Sequence, residues 1–237
     1  APTFPVLGLG KPDLARETTY STSLTLAHES THVRGEASAY VNRINNYIFF
    51  APALDASGMP IFDVTIRGEF PRFTTQAVDA LFYGADGGIT IAPFDDTGAL
   101  ELSTQVSLVR AKDIEHDKYL VFIPSDRYRG SITYRPPETR TWRKSFATVT
   151  GTYVTEQRRY DINADFAAPP PAYFLLDAEL GTETCFGRHD LRLALHGQNL
   201  TNARYRDYTS LLRYFADEPG WSVWLRASVF FDSGKGN

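Results

Sequence analysis

Trp221-Ser222-Val223-Trp224-Leu225-Arg226-Ala227-Ser228-Val229-Phe230-Phe231 sets Trp221, Val223, Leu225, Ala227, Val229 and Phe231 on one side of an extended chain. Ser222, Trp224, Arg226 and Ser228 fall on the other. Successive side chains of a strand point to opposite faces, so this period of two predicts a strand with one apolar face and one mostly polar face. The alternation recurs upstream. Leu191, Leu193, Leu195 and Gly197 alternate with Arg192, Ala194, His196 and Gln198. Leu100, Leu102, Thr104, Val106 and Leu108 alternate with Glu101, Ser103, Gln105 and Ser107. Val33, Gly35, Ala37, Ala39 and Val41 alternate with Arg34, Glu36, Ser38, Tyr40 and Asn42. Runs of about nine alternating residues are long for a globular protein. No segment carries a 3.6-residue apolar stripe through three turns, and the chain reads as all-β.

Strands are predicted at 18–28, 32–48, 70–92, 98–112, 120–135, 141–157, 160–182, 189–200 and 220–231. Short turns at 28–32, 93–98, 136–140 and 184–190 trade places with long polar and aromatic segments at 43–72, 110–126 and 199–220. Residues 157–171, rich in Arg, Tyr and Pro, interrupt this pattern between the sixth and seventh strands. Short turns on one rim and long loops on the other are what an outer-membrane barrel requires, and a soluble sandwich has no need of them. The expected fold class is an all-β antiparallel transmembrane β-barrel segment of about nine strands, with long extracellular loops and short periplasmic turns. Ser57, Asp117 and Asp217 are then expected outside the cell, and Asp96, Glu138 and Gly187 on the periplasmic side.

Composition agrees with this and excludes other classes. Of 237 residues, 43% are hydrophobic and 22% charged, which argues against wholesale disorder. A net charge of −4, from 24 basic and 28 acidic residues, gives no footprint for nucleic acid. The single Cys185 forms no internal disulfide and no CxxC metal cluster. No transmembrane helix is present, and Ala1-Pro2-Thr3-Phe4 shows neither the basic nor the apolar region of a signal peptide. With no GxSxG, phosphate loop or GxGxxG, no cofactor is expected.

Several short stretches carry a resemblance. Gly10-Lys11-Pro12-Asp13-Leu14 followed by Glu17 resembles the "G-N-P-x-L-x-P-E" opening of a barrel strand in TonB-dependent outer-membrane receptors, with Lys11 and Arg16 departing from it. Glu36–Tyr40 with Asn42–Ile48 looks like the next strand and its loop, and Gly84-Ala85-Asp86 is similar to the Gly-x-Glu that opens a membrane strand. Gln198-Asn199-Leu200-Thr201-Asn202 with Arg204–Tyr208 resembles "E-N-L-F-N-x-x-Y", and Pro219-Gly220 leads into the terminal strand. The set runs in the family's own order from about Gly10 to Phe231.

The resemblance implies a plugged barrel of about 22 strands in the outer membrane of a Gram-negative bacterium. Such receptors import a scarce nutrient: a ferric siderophore, haem, cobalamin or a metal. The implied partners are outer-membrane lipid, a small-molecule or metal-chelate ligand, and the TonB complex acting through an N-terminal plug. Nothing in the chain resembles the plug. Nine strands place the two ends on opposite rims and leave two edges unpaired in lipid, which is costly. The chain is therefore expected to be the C-terminal part of a longer receptor, whose plug and remaining strands lie outside it. Residues 1–231 would form the barrel segment and 232–237 a flexible polar tail.

One motif points elsewhere. His28-Glu29-Ser30-Thr31-His32-Val33-Arg34-Gly35 matches the H-E-x-x-H of zinc peptidases, where two histidines one helical turn apart bind zinc and the Glu activates water. The flanking Thr18–Leu26 is β-branched, polar and period two, which denies the helix. The enzyme reading, and that of a soluble β-rich ligand-binding domain, stand as alternatives to a non-enzymatic receptor. Asp113, Glu115, His116 and Asp117 form an acidic loop able to touch a metal or cationic ligand, although a solvated loop explains it as well. Arg127, Arg129 and Arg135 share a face, most simply the polar lumen, where they would attract an anionic chelate or pair with carboxylates. Asp177 and Glu179 share a face in the same way.

Overall fold

A computed structural model describes residues 7–10, 13–66, 68–93, 99–161, 165–186 and 189–230. The strands are β1 (Leu7–Leu9), β2 (Thr18–Glu29), β3 (Val33–Pro52), β4 (Phe62–Thr65), β5 (Gly68–Ile91) and β6 (Leu100–Asp113). They continue with β7 (Lys118–Tyr119), β8 (Arg127–Tyr134), β9 (Arg143–Val154), β10 (Tyr173–Phe186), β11 (His189–Gln198) and β12 (Ser222–Phe230). A one-turn 3-10 helix spans Leu211–Tyr214. Nine strands follow one another in the order β12-β11-β10-β9-β8-β6-β5-β3-β2, all antiparallel. Short β1, β4 and β7 attach to β5 and β6 beside this path. The sheet does not close on itself: β2 pairs only with β3, and β12 only with β11, among the described residues.

The pairing register turns the period-two pattern into two continuous surfaces. Leu24, Ala39, Ala85 and Leu108 lie opposite one another across β2, β3, β5 and β6. Ile132, Val149, Ala178 and Gly197 continue this face, with Leu102 beside Ile132 and Val223 beside Gly197. Between its ends this face carries mostly Leu, Val, Ile, Ala, Gly, Tyr and Phe with a few Thr, while His28 and His189 stand at the short-turn end and Arg43, Arg110 and Lys112 at the long-loop end. Ala37, Val106, Leu193, Leu225 and Val229 belong to it, whereas Glu36, Gln105, Arg192 and Arg226 lie on the opposite, polar face. Leu24 and Leu225 are each 66% exposed, so in water this wall would leave a very large apolar area uncovered. Its height fits a bilayer. On β3 it runs over Val33–Val41, and nine residues at ~3.3 Å, tilted by ~40°, rise about 23 Å.

Three expectations change. The strand read at 160–182 begins only at Tyr173, because Pro169, Pro170 and Pro171 lack the N–H groups that a ladder needs. Residues 155–172 are thus a fourth long connection, and the alternation of short and long links is complete. The strand read at 120–135 begins only at Arg127. Leu120, Val121 and Ile123 are buried in a loop instead, and an unbroken apolar run of this kind marks burial rather than a two-faced strand. β3 and β5 run further toward the long-loop side than expected, to Pro52 and from Gly68.

The motif residues have physical reasons. A Cβ on Gly84 would lie 2.5 Å from the Tyr40 hydroxyl and 2.3 Å from the Leu108 carbonyl oxygen, so only glycine fits. Glu17 accepts a hydrogen bond from the Ile48 amide (2.6 Å), and Asp79 accepts one from the Asn46 amide (3.0 Å). Together they hold the bulge where Asn46 adopts φ +57°. Asn199, 2% exposed with φ +47°, closes the turn after β11: its amide nitrogen donates to the Ala203 carbonyl and its side-chain oxygen accepts from the Ala203 N–H.

The topology has a direct test. Cysteines at Ser57, Asp117 and Asp217, in a full-length receptor carrying Cys185→Ser, should react with an impermeant thiol reagent on intact cells, and one at Glu138 should not. The reverse pattern would invert the sheet in the membrane. Asp96, Gly187, Lys11, Pro12, Phe231 and the 232–237 tail lie outside the described residues.

Candidate functional site

The loops at the long-loop rim fold together over the polar side of the sheet. Ala80 and Ala111 are buried against Leu120 and Ile123, with Phe82 and Val109 packed around them. Above them, Phe73 (1% exposed) meets Phe166 edge-on at 5.1 Å, with Phe122 and Tyr214 at 6.0 and 6.2 Å. These rings come from β5 and from three separate loops. Arg213 sits among them with its side chain 1% exposed, and its guanidinium pairs with the equally buried Asp165. It also lies 4.3 Å from the Tyr214 ring centroid and 4.7 Å from that of Tyr208. The Tyr214 hydroxyl donates to Asp165 (2.5 Å). Burial, then the Asp165 charge, pushes both tyrosine phenols well above their usual range.

Beside this cap lies a polar cluster on the concave side. Asp207, on the β11–β12 loop, accepts hydrogen bonds from the Tyr173 hydroxyl (2.9 Å) and from Arg127 Nη2 (3.2 Å). Burial raises the Asp207 carboxyl, but hydrogen bonds from Thr209 and Tyr173 and the charge of Arg127 outweigh it and hold the group below its usual range. The Tyr205 ring lies 4.5 Å from that of Tyr173. Together with Thr152 and Glu218 these residues line a hollow of about 370 Å³. Deeper along the polar face, Arg127 and Arg129 border a second hollow of about 410 Å³ with Glu36, Asp86, Gln105 and Ser107.

Arg127 and Arg129 share the polar face of β8, opposite Ser107 and Gln105. Arg135 lies one residue beyond β8, near the short-turn rim, where it and Arg34 both hold Glu101 (2.6 and 3.0 Å). Arg127 has Asp207, whereas Arg129 has no ion-pair partner among the described residues. Asp113 is buried and its carboxylate closes its own turn, accepting from the Glu115 and His116 amides and meeting His116 Nδ1 at 2.7 Å. Asp117 pairs with Lys112 (2.7 Å). No group of three His, Cys, Asp or Glu among the described residues is placed to hold a metal. Asp177 accepts from the Asn199 amide (2.8 Å), and Glu179 lies 3.7 Å from His196. His28 and Glu29 end β2, and His32 sits in the turn before β3, so the H-E-x-x-H residues occupy a hairpin and not a helix.

Asp207, Tyr173, Tyr205, Asp165 and Arg213 were not singled out as a site by the sequence. Arg127 and Asp207 are 80 residues apart and Asp165 and Arg213 are 48 apart, and no local pattern signals either meeting.

The TonB-dependent receptor-like β-barrel family matches residues 1–200. The chain belongs to that family. Solved structures agree on the fold. The copper transporter OprC superposes with a TM-score of 0.69 at 16% identity, covering 93% of this chain and 33% of that one. The FrpB iron transporter of Neisseria meningitidis gives 0.62 at 14% identity, with 93% and 31% covered. The siderophore receptor PirA of Acinetobacter baumannii gives 0.59 at 16%, with 94% and 33% covered. The chain thus spans about a third of the length of the solved structures it matches. No curated protein matches it. Its apolar wall is the lipid-facing wall of an outer-membrane barrel in a Gram-negative bacterium, and its polar face is the lumen side. Family and neighbours are receptors and transporters.

Proposed function

We propose that the chain is one sector of a TonB-dependent uptake receptor, part of a longer polypeptide whose remaining strands and plug complete the pore. The supporting observation is the folding of three long connections together over the polar face, with Arg127, Tyr173, Tyr205 and Asp207 gathered beside them. In this reading a scarce nutrient enters from the loop side, as a ferric siderophore, haem, cobalamin or a metal chelate. The inner-membrane TonB complex supplies the work through the plug. The copper, iron and siderophore specificities named for the structural neighbours favour a metal-bearing ligand.

Within that class the wall favours an anionic chelate. Arg129 offers a guanidinium with no carboxylate of its own among the described residues, and arginine binds carboxylate or catecholate oxygens through paired N–H groups. Arg127 and Arg135 are further proposed contacts for the anionic chelate, while the exposed acidic loop of Glu115, His116 and Asp117, closed by Asp113, is a proposed contact for a metal or a cationic group. Arg129→Glu in the full-length receptor should preserve assembly, since the lumen side tolerates charge, and weaken binding of an anionic ferric chelate by about tenfold or more. Equilibrium binding of the labelled chelate to whole cells reads this out. Unchanged affinity at normal surface expression would remove Arg129 from the path.

A further inference from the structure

The polar face treats its carboxylates differently at two heights. Toward the short-turn rim they are paired: Glu101 is held by Arg34 and Arg135, and Glu183 by Lys144 and Arg192. Level with the middle of the apolar band, beside Ala37, they are not. Glu36 and Asp86 have no ion-pair partner among the described residues, and Asp86 accepts a hydrogen bond from the Ser107 hydroxyl (2.5 Å). Arg129 is likewise without an ion pair. Arg127 has Asp207 (3.2 Å), but that carboxylate keeps Tyr173 and Thr209 as donors, so the guanidinium can turn to another anion without stranding a bare charge.

These four charges border the hollow of about 410 Å³. The register sets Glu36, Gly88, Gln105 and Arg129 in one row across β3, β5, β6 and β8. Ser38, Asp86, Ser107 and Arg127 form the next polar row toward the loops. Gly88 puts no side chain between Glu36 and Gln105, which opens the floor of the hollow; a Cβ there would lie 3.3 Å from the Thr104 carbonyl oxygen. The carboxylates thus stand on β3 and β5, the guanidiniums on β8, and the neutral Gln105 and Ser107 of β6 between them. Glu36 and Arg129 are three strands apart, roughly 14 Å between backbones. Glu36 and Asp86 are diagonal neighbours on adjacent strands, roughly 7–8 Å apart, a spacing that one ammonium group bridges.

Opposite charges left unneutralised across a cavity fit a ligand that carries both. A purely anionic ligand would meet Glu36 and Asp86. A bare cation would meet two arginines, and no group of three metal-binding side chains. We propose that this hollow is a lumen subsite for a zwitterionic metal chelate, with the chelate's carboxylates on Arg127 and Arg129 and a free ammonium group between Glu36 and Asp86. The subsite rests on the uptake reading above and narrows it, from anionic chelates in general to those with an uncoordinated amine, such as chelates built from basic amino acids. The two carboxylates select as well as bind, because a chelate without the amine leaves them facing its negative charge.

The test uses energised cells displaying the full-length receptor and radiolabelled chromium(III), whose complexes exchange ligands too slowly to pass the metal to another carrier. Two chelators are compared: ethylenediaminetetraacetate carrying an aminobutyl arm, and the same molecule with that amine acetylated. The free amine should be taken up about tenfold faster. Glu36→Gln with Asp86→Asn should abolish that preference and leave uptake of the acetylated chelate unchanged or raised. Arg129→Gln should slow both. Equal uptake of the two chelates by the wild type, or a preference that survives the double variant, would overturn the proposal. Equal slowing of both chelates in the double variant would overturn it too, and would assign the carboxylates to the receptor's plug. Uptake of neither chelate at normal surface expression would remove the anionic-chelate reading on which the subsite rests. If the double variant fails to assemble, Glu36→Gln alone decides, since that carboxylate has no hydrogen-bond partner among the described residues.

Discussion

Leu193→Arg is expected to destabilise the assembled barrel by roughly 2–4 kcal/mol, the cost of a guanidinium near the bilayer midplane. Leu193 lies mid-strand in β11, opposite Ala227 on one side and Thr182 on the other, within the apolar wall. Gln105→Arg places the same group on the polar face beside Arg129 and should cost far less. Gln105→Arg also meets the like charge of Arg129, so a clearly larger loss at Leu193 reports the lipid face and not the added charge alone. Heat-modifiability and urea-unfolding midpoints of the full-length receptor measure it. Equal loss in the two variants would show that the faces have been exchanged.

That assignment was open to a reader of the sequence, because period two is a local property: Leu191–Leu195 and Val223–Val229 declare their faces without knowledge of any partner. The number of long strands was legible for the same reason. Their ends were less so. The strand expected from 160 runs through a segment rich in Arg, Tyr and Pro that interrupts the pattern, and three consecutive prolines there exclude a ladder before Tyr173. At Leu120–Ile123 an apolar run looked like a strand because β-propensity does not distinguish a strand from a loop buried under other loops. The site was less legible still. Arg127 and Arg129 declared a shared face, but their neighbours Asp207, Tyr173 and Tyr205 arrive through loop packing, which carries no period. The H-E-x-x-H letters show the converse: without the helix that the motif needs, the two histidines fall on a hairpin, and no group of three His, Cys, Asp or Glu among the described residues is placed to hold a metal.

The loop cap yields the other large effect. Arg213→Met should loosen the cap by about 3–5 kcal/mol, because it strands the Asp165 carboxylate in a place with no water to receive it. The loss falls on an arginine that also lies over the rings of Phe122, Tyr208 and Tyr214, at 5.6, 4.7 and 4.3 Å. Two of these rings are carried by its own loop, and Asp165 and Phe122 come from two others, so one side chain ties three connections together. The strands below do not depend on it: the ladders from β8 to β12 are complete without any contact to Arg213. The variant should therefore insert and remain heat-modifiable, while amide exchange at 120–123 and 208–215 accelerates steeply. Arg213→Met with Asp165→Leu should recover much of the protection, since an apolar pair of similar volume removes both charges, although the Tyr214 hydroxyl then loses its acceptor. Slow exchange in the single variant would mean that the aromatic rings alone hold the loops. Failure of insertion would mean that the cap forms before the wall and is needed to build it.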